Sequence, residues 1–576
     1  MDRITKSYLE NFSNMFSLES NMDESEKFEH FVNYTLIEPK TSSSINLEDV
    51  TIGKSGTIGL DGFAIILNNE IISTEEELDD FISSTKKIYG EIVFIQAKTS
   101  TTFDSKDVSN FGLSVNDFIS EGPEYNWNDN AKTKIKLFNK LVTYISGFEE
   151  KPVCSMYYVC LGIDGKDQNV YAKRNEVIPQ IESQNLFSDI KFDLIDNLTI
   201  QNKYKNIGRK LKKTFDFSQK ITLPVIENVK EAYIGLIDGK TVLSLMTDES
   251  GNYIPNVFYD NVRDFQGENR VNSEIRSTLE SDYKDSFSIL NNGITIVAEE
   301  LDTTRNDYTI TNYQIINGCQ TANVLFHNQK LIDEKIQISL KLIITKDQDV
   351  ISRVIRSTNS QTEIKTQDLL AYSNFQKRLE DYYNTYNGTE RLYYERRSKQ
   401  YNSTTIEKTR IIDKTLQIKV LGSLFFDKPN LATRYFGTLF NEFSGEIFND
   451  ADNMIPYYTA AYVFFKIESL FRNGEIDPLY KKFKFLIMTM FRFEINKHQF
   501  PSFNSRAIER YCNEILEIVN NKSEFQKNIN SIIIKLDEIG EDLSNTELTK
   551  SLDFVNKAMA NYKYWHKKSL GGITND

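Results

Sequence analysis

The chain has 576 residues, enough for two to four domains at about 150 residues each. Its 68 Lys and Arg stand against 82 Asp and Glu, a net charge of −14. That balance excludes a surface coated in basic residues for indiscriminate nucleic-acid binding, though not a single basic cleft. A 40% hydrophobic and 26% charged composition, with 25 Gly and 10 Pro, excludes a fibrous or linker-dominated chain.

The four cysteines (Cys154, Cys160, Cys319, Cys512) form no Cys-x-x-Cys pair. The histidines (His30, His327, His498, His566) are far apart, so neither a disulfide scaffold nor a His/Cys zinc site is expected. The N-terminus shows no apolar leader, and no apolar run approaches the roughly 18 residues of a membrane span. A soluble cytoplasmic protein with no membrane contact is expected.

In chain order, Phe28, Phe31, Val32 and Leu36 at i, i+3, i+4, i+8 predict a helix over 23–37. Asp23 stands at its cap, and Glu26 is placed to close a capping box. Residues 57–67 and Ile71–Ile72, joined by Asn68-Asn69, read as a hairpin. A helix over 74–88 with three glutamates in its first turn follows, then a buried strand over 91–98. A helix near 129–148, strands at 153–161 and 190–195, and a basic helix running through Lys213 complete an α/β region ending near residue 219. The next region, 220–400, is mixed α/β, with strands expected at 232–236, 242–246, 293–298, 308–316 and 336–344. From 401 to 576 long amphipathic segments predict a mostly helical region whose aromatics are core packing. The fold class expected is α+β and multidomain.

Three groups of residues carry the chemistry. In the strand over 91–98, Gln96 and Lys98 project to one side and Ile95 and Ala97 to the other. With Asp61 on the neighbouring hairpin, and Glu29 on the first core helix, they supply a carboxylate, an amide oxygen and an ammonium at a sheet end. Metal-assisted phosphodiester hydrolysis uses such a set: Mg²⁺ takes oxygen ligands, including one or two carboxylates, and keeps several waters. The lysine orients the nucleophile or offsets charge on the phosphate. These residues resemble the PD-(D/E)xK nuclease superfamily, closest to its Mrr-like branch, whose Q-x-K reads here as Gln96-Ala97-Lys98. The resemblance implies a restriction-endonuclease-like domain over 1–219, with Asp61 and Gln96 as ligands of Mg²⁺ or Mn²⁺. Lys98 is then the catalytic lysine, and Glu29 matches the glutamate some members place on the first helix. A live nuclease, an inactive remnant and an ordinary solvated strand end stay open at this level; the first is taken forward.

The second group surrounds two Asn-Gly turns. Asn291-Asn292-Gly293 precedes an apolar strand, and Asn317-Gly318 closes another before Gln320 and Thr321 open a helix. Arg353, Arg356, Asn359 and Gln361 follow. A strand, a Gly turn and a helix present backbone N–H groups to an anion, and arginines add bidentate phosphate contacts. The same polar side chains equally suit turns and strand ends. The blocks Asn261–Gly267, Val271-Asn272, Asn-Asn-Gly-Ile-Thr, Ile-Asn-Gly-Cys-Gln-Thr and Tyr393-Tyr394-Glu395-Arg396-Arg397, in this order, resemble the AIPR family of abortive-infection phage-resistance proteins. More distantly, Asn317-Gly318-Cys319-Gln320-Thr321 is similar to ParB-like domains carrying Asp-Gly-Gln-His-Arg, but Asn317 replaces the Asp and the His-Arg is absent. These resemblances imply phage defence and a nucleotide ligand or nucleic-acid contact in region 220–400.

The third group is basic: Lys203, Lys205, Arg209, Lys210, Lys212 and Lys213, with no acid among them. On one helix Arg209 and Lys213 share a face, as do Lys205 and Lys212, and would track a phosphate backbone. At physiological salt the Debye length is about 8 Å, so distant acidic surface does not cancel such a patch. A solvated helix face is the bland reading of the same run. The expected whole is a metal-dependent nuclease that cuts DNA ahead of RNA, acting as a homo-oligomer and gated by its middle region. The alternative is a non-catalytic sensor or scaffold that binds nucleotide or DNA.

Overall fold

The computed structural model describes the chain except residues 20–21, 43, 54–58, 86–87, 165, 209–210, 248–253, 255–256, 259–269, 334, 359–373, 397–398, 402–405, 435, 444, 497–498, 561 and 563–576. Among the described residues no helix is long and apolar enough to cross a membrane. The architecture is α+β: a five-stranded sheet, a six-stranded sheet and a largely helical C-terminal third.

The chain opens with α1 (Arg3–Met15) and α2 (Glu24–Ile37), then the short α3 (Leu47–Val50). Asp23 occupies the cap position of α2, but its side chain makes no cap hydrogen bond. The hairpin of β1 (Gly62–Leu67) and β2 (Glu70–Ile72) turns on Asn68 and Asn69, both at positive φ. In α4 (Glu75–Ser84) the Thr74 hydroxyl accepts from Glu77 N at 3.1 Å, as its cap role predicts. There follow β3 (Gly90–Lys98), α5 (Ser105–Phe118), α6 (Asp129–Tyr144), β4 (Val153–Cys160), α7 (Gln168–Glu182), β5 (Asp189–Ile195) and α8 (Asn197–Asn206).

The first sheet runs β2-β1-β3-β4-β5, antiparallel through β3 and parallel beyond it. Strand alternation gives it two apolar faces. Ala64, Val93, Ile95 and Val159 pack on α1, α2 and α8. Phe63, Phe94, Met156 and Tyr158 pack on α4 to α7.

The basic run does not form one helix. Gly208 at φ +67° follows the end of α8, and Lys212 and Lys213 lie in β6 (Lys212–Asp216), which pairs with the second sheet. Tertiary pairing to the strand Asp307–Asn317 outweighs the local helical spacing, so Lys213 lies in a strand and on no helix face. Arg209 and Lys210 lie outside the described residues.

After β6 come β7 (Lys220–Thr222), β8 (Glu231–Asp238) and α9 (Gly239–Met246). The strand expected at 242–246 is this helix. Asp238 caps it by accepting from Thr241 N at 2.8 Å, and Val242, Leu245 and Met246 fall at i, i+3, i+4 on its buried face. Next are α10 (Arg270–Glu280), α11 (Phe287–Leu290), β9 (Ile294–Thr304), β10 (Asp307–Asn317), α12 (Cys319–His327), β11 (Gln337–Ile344) and α13 (Gln348–Thr358). The second sheet runs β6-β10-β9-β11-β8-β7, and only its β9–β11 pair is parallel. α9, α10 and α12 cover one face, and α13 covers the other through Ile351 and Ile355.

The remaining helices share one aromatic-rich core, with Tyr383, Tyr394, Tyr457, Tyr458 and Phe491 fully buried. That core takes in the helix Asn374–Asn384 and β12 (Tyr393–Glu395), which pairs in parallel with β13 (Ile411–Asp413). It docks on the first region through charges. Lys399 Nζ lies 2.7 Å from Glu38 Oε1, Lys550 Nζ lies 2.7 Å from Glu76 Oε1, and Lys481 pairs with Glu48. Gly437 N donates to Asp80 Oδ2 at 3.2 Å.

Candidate active site

Strand register brings Asp61, Gln96 and Lys98 together. Gly62 pairs with Ile95, so Asp61 enters β1 beside Gln96. Asp61 N donates to Ile95 O at 2.9 Å, and Asp61 Oδ2 accepts from Ala97 N at 2.8 Å. This double clasp fixes the carboxylate at the end of β3. Alternation from Phe63 and Phe94 places Asp61, Gln96 and Lys98 on the face covered by α5.

Burial drives the Asp61 carboxyl up to about 6, while the bond from Ala97 and the Lys98 charge oppose the rise. A carboxylate desolvated in this way gains by taking a cation partner. Gln96 is 2% exposed, and its Oε1 makes no hydrogen bond. A buried carbonyl without a partner costs about 1–3 kcal/mol, so its retention calls for a ligand or water. Gly59, at φ +69°, leaves that amide room: a Cβ there would sit 3.3 Å from Gln96 Nε2 and from Ser114 Oγ.

Glu29 is buried on α2, with the Ser25 hydroxyl 3.5 Å from its Oε1. One turn later on the same helix, Asn33 is the residue that reaches Asp61, its Nδ2 donating to Asp61 O at 3.3 Å. Gly62 serves this approach, since a Cβ there would lie 2.2 Å from Asn33 Oδ1. The glycine beside Asp61 therefore admits Asn33.

Among the described residues no group of three or more His, Cys, Asp or Glu converges as metal ligands. The donor set at the sheet end is one carboxylate and one unbonded amide oxygen. That set fits a hard ion that keeps most of its waters, and does not fit zinc.

The two Asn-Gly turns also meet. Asn317 pairs with Thr295 across β10 and β9, so the entry to β9 and the exit of β10 lie at one end of the sheet. Asn291 Oδ1 accepts from Gly293 N at 3.0 Å and from the Thr321 hydroxyl at 2.9 Å, tying one turn to the helix that follows the other. Gly318 caps α12 at φ +90°, and a Cβ on it would lie 2.5 Å from Gly293 O. Only glycine combines that backbone angle with that contact. Asn292 is exposed, while Asn317 and Gln320 are half-buried beside the first turn of α12. α13 carries Arg356, whose side chain is not described; Asn359 and Gln361 lie outside the described residues.

Of the basic group, Lys205 is exposed at the end of α8 and Lys212 is exposed on β6. Lys213 Nζ is engaged, donating to Thr247 O at 2.8 Å. Neither Asn33 nor Tyr158 carries a sequence signal for this site. Both come from elements whose periodicity reads as core; packing of α2 on the sheet brings Asn33 to Asp61, and strand register sets Tyr158 opposite Gln96.

The fold and these sites define an α+β protein with a polar end on its five-stranded sheet and paired Asn-Gly turns on its six-stranded sheet. The family described as AIPR protein matches residues 258–547, just over half of the chain, and the chain belongs to that family. Membership points to an anti-phage, abortive-infection function. The match begins within the second sheet region and runs through most of the helical third. Neither a curated protein nor a solved structure matches the chain.

Proposed function

We propose that this AIPR protein is a metal-dependent nuclease that cuts phosphodiester bonds of nucleic acid, DNA ahead of RNA, in anti-phage defence. The observation that carries this reading is the gathering of Asp61, Gln96 and Lys98 on one sheet face, with Gln96 Oε1 buried and unbonded. In this reading the domain over 1–219 is an Mrr-like PD-(D/E)xK unit. Asp61 and Gln96 hold Mg²⁺ or Mn²⁺, and the bound ion supplies a water acidic enough to attack near neutral pH. The Ala97 amide holds Asp61 in place, and Lys98 offsets charge on the scissile phosphate. Glu29, on α2, is the first-helix glutamate of this site. Lys205 and Lys212 would help carry the nucleic-acid backbone.

The paired turns support the second half of the reading. Asn291, Asn292, Gly293, Asn317, Gly318, Gln320 and Thr321 form the floor of a nucleotide or nucleic-acid sensor, completed by Arg356, Asn359 and Gln361. Ligand binding there gates the cut. The test is a panel of DNA and RNA substrates, with and without Mg²⁺, Mn²⁺ and nucleotides. Asp61→Ala and Lys98→Ala should each abolish metal-dependent cleavage at an unchanged circular dichroism spectrum. Cleavage by both variants at the parental rate would refute the site. Full cleavage with no added ligand would refute the gating. The remaining reading, a sensor whose nuclease-like domain is inert, predicts nucleotide or DNA binding with no metal uptake by Asp61.

A further inference from the structure

Tyr158 is fully buried, yet its hydroxyl has no hydrogen-bond partner. It sits on β4 directly opposite Gln96 of β3 in the parallel register, so the two side chains share one face on strands about 4.8 Å apart. Gln96 Oε1 is likewise unbonded and buried. Two orphans, one able to donate and one able only to accept, therefore lie on the same side of the sheet, the side covered by α5. The rings of Phe103 and Phe111 flank Tyr158 at 6.0 Å and 6.4 Å. This packing fixes the ring and leaves the hydroxyl as its one polar function.

A structural tyrosine would hide its ring and spend its hydroxyl on a main-chain carbonyl. Tyr313, in the second sheet, does this by donating to Leu245 O at 2.8 Å. A phenylalanine would serve Tyr158's packing equally well and avoid the penalty of an unmet buried hydroxyl. Burial, together with the nearby Asp107, Cys160, Asp104 and Asp61, pushes the Tyr158 hydroxyl well above its usual range, so it stays protonated and remains a donor at neutral pH.

We propose that Tyr158 is a positioning residue of the Asp61–Gln96–Lys98 site: its hydroxyl, on the same sheet face as Gln96, holds the water that attacks the scissile phosphodiester. The proposal rests on the nuclease reading above and adds a residue to it. Tyr158 accepts no proton in the reaction and binds no ion. It donates one hydrogen bond to the water oxygen, and so restricts that water's orientation toward phosphorus.

The test uses the full chain and Tyr158→Phe, which removes a single oxygen. Three measurements are made: cleavage kinetics, Mn²⁺ binding by calorimetry, and the ultraviolet difference spectrum of tyrosine on adding Mn²⁺. The expected result is a fall in kcat of about 10-fold or more at unchanged KM, as for loss of an orienting contact. Mn²⁺ affinity should change less than about 3-fold, and the melting temperature should hold or rise because an unmet polar group is gone. The parent should show a tyrosine difference signal on Mn²⁺ addition that Tyr158→Phe lacks. Parental kcat in the variant overturns the proposal while leaving the nuclease reading intact. A drop in melting temperature matching the loss of a satisfied hydrogen bond also overturns it, since the hydroxyl would then serve the fold through a structural water. If the parent cleaves nothing in any metal, the nuclease reading fails and the Tyr158 proposal fails with it. Where the parent does cleave, an identical Mn²⁺ difference signal in parent and variant overturns the proposal alone.

Discussion

Glu395 offers the sharpest physical test of how the helical third meets the first domain. It lies on β12 at 5% exposure, directly opposite Asp413 of β13, and accepts from the Ser44 hydroxyl of the first domain at 3.3 Å. Burial first, and then the Asp413 charge, push its carboxyl up to about 7, against the opposing pull of Lys408 and of its hydrogen bonds. From an ordinary 4.5, that is a rise of about 2.5 pH units, or a ceiling near 3 kcal/mol at 1.36 kcal/mol per unit. The sign follows from which state binds the proton more tightly. The folded chain does, so the protonated carboxyl's contribution is fully present below pH 4.5 and is lost as pH rises toward about 7. Glu395→Gln keeps an acceptor for Ser44 and never ionises. The variant should therefore melt with the parent at pH 4.5 and above it at pH 8. At about 2–4 °C per kcal/mol for a domain of this size, the gap at pH 8 is at most roughly 6–12 °C. Calorimetric melts at the two pH values read it directly. A gap of equal size at both, or a variant less stable than its parent at pH 8, would refute the argument.

Two further variants test the packing that supports the sites. Arg492 is wholly buried in the helical core and pairs with Asp427, which is 4% exposed, while the Phe493 ring lies 4.1 Å from the guanidinium. Asp427→Ala leaves that cation uncompensated and should cost about 3–5 kcal/mol in urea unfolding; a loss below about 1 kcal/mol would show the pair to be dispensable. Gly318→Ala places a Cβ against Gly293 O at φ +90°, which should lower stability by more than about 1 kcal/mol and part the two Asn-Gly turns. If that variant melts with the parent and binds nucleotide as the parent does, the turns do not work as one unit.

Much of the fold was legible in the chain because its signals are local. The cap at Thr74, the Asn68-Asn69 turn and the apolar runs of β3 and β9 each depend on neighbours a few residues away. Helix spacing in the last third announced its aromatic core, and the ordered Asn-Gly blocks announced the family. Two segments were misread where a local signal met a stronger or subtler one. The lysines at 212–213 carry helical spacing, yet Gly208 ends the helix and pairing with β10 takes them into a strand. Val242–Met246 looks like an apolar strand until Asp238 caps it and its three buried residues are seen to lie one turn apart.

The sequence by itself determined which residues could do chemistry, because Asp61, Gln96 and Lys98 are set by residue type and strand alternation. Tertiary structure alone decided which of them meet. Register between β1, β3 and β4 joins residues nearly a hundred positions apart, aligning Asp61 and Tyr158 with Gln96. No local pattern encodes that pairing, since alternation fixes the side a residue faces but not which strand lies beside it.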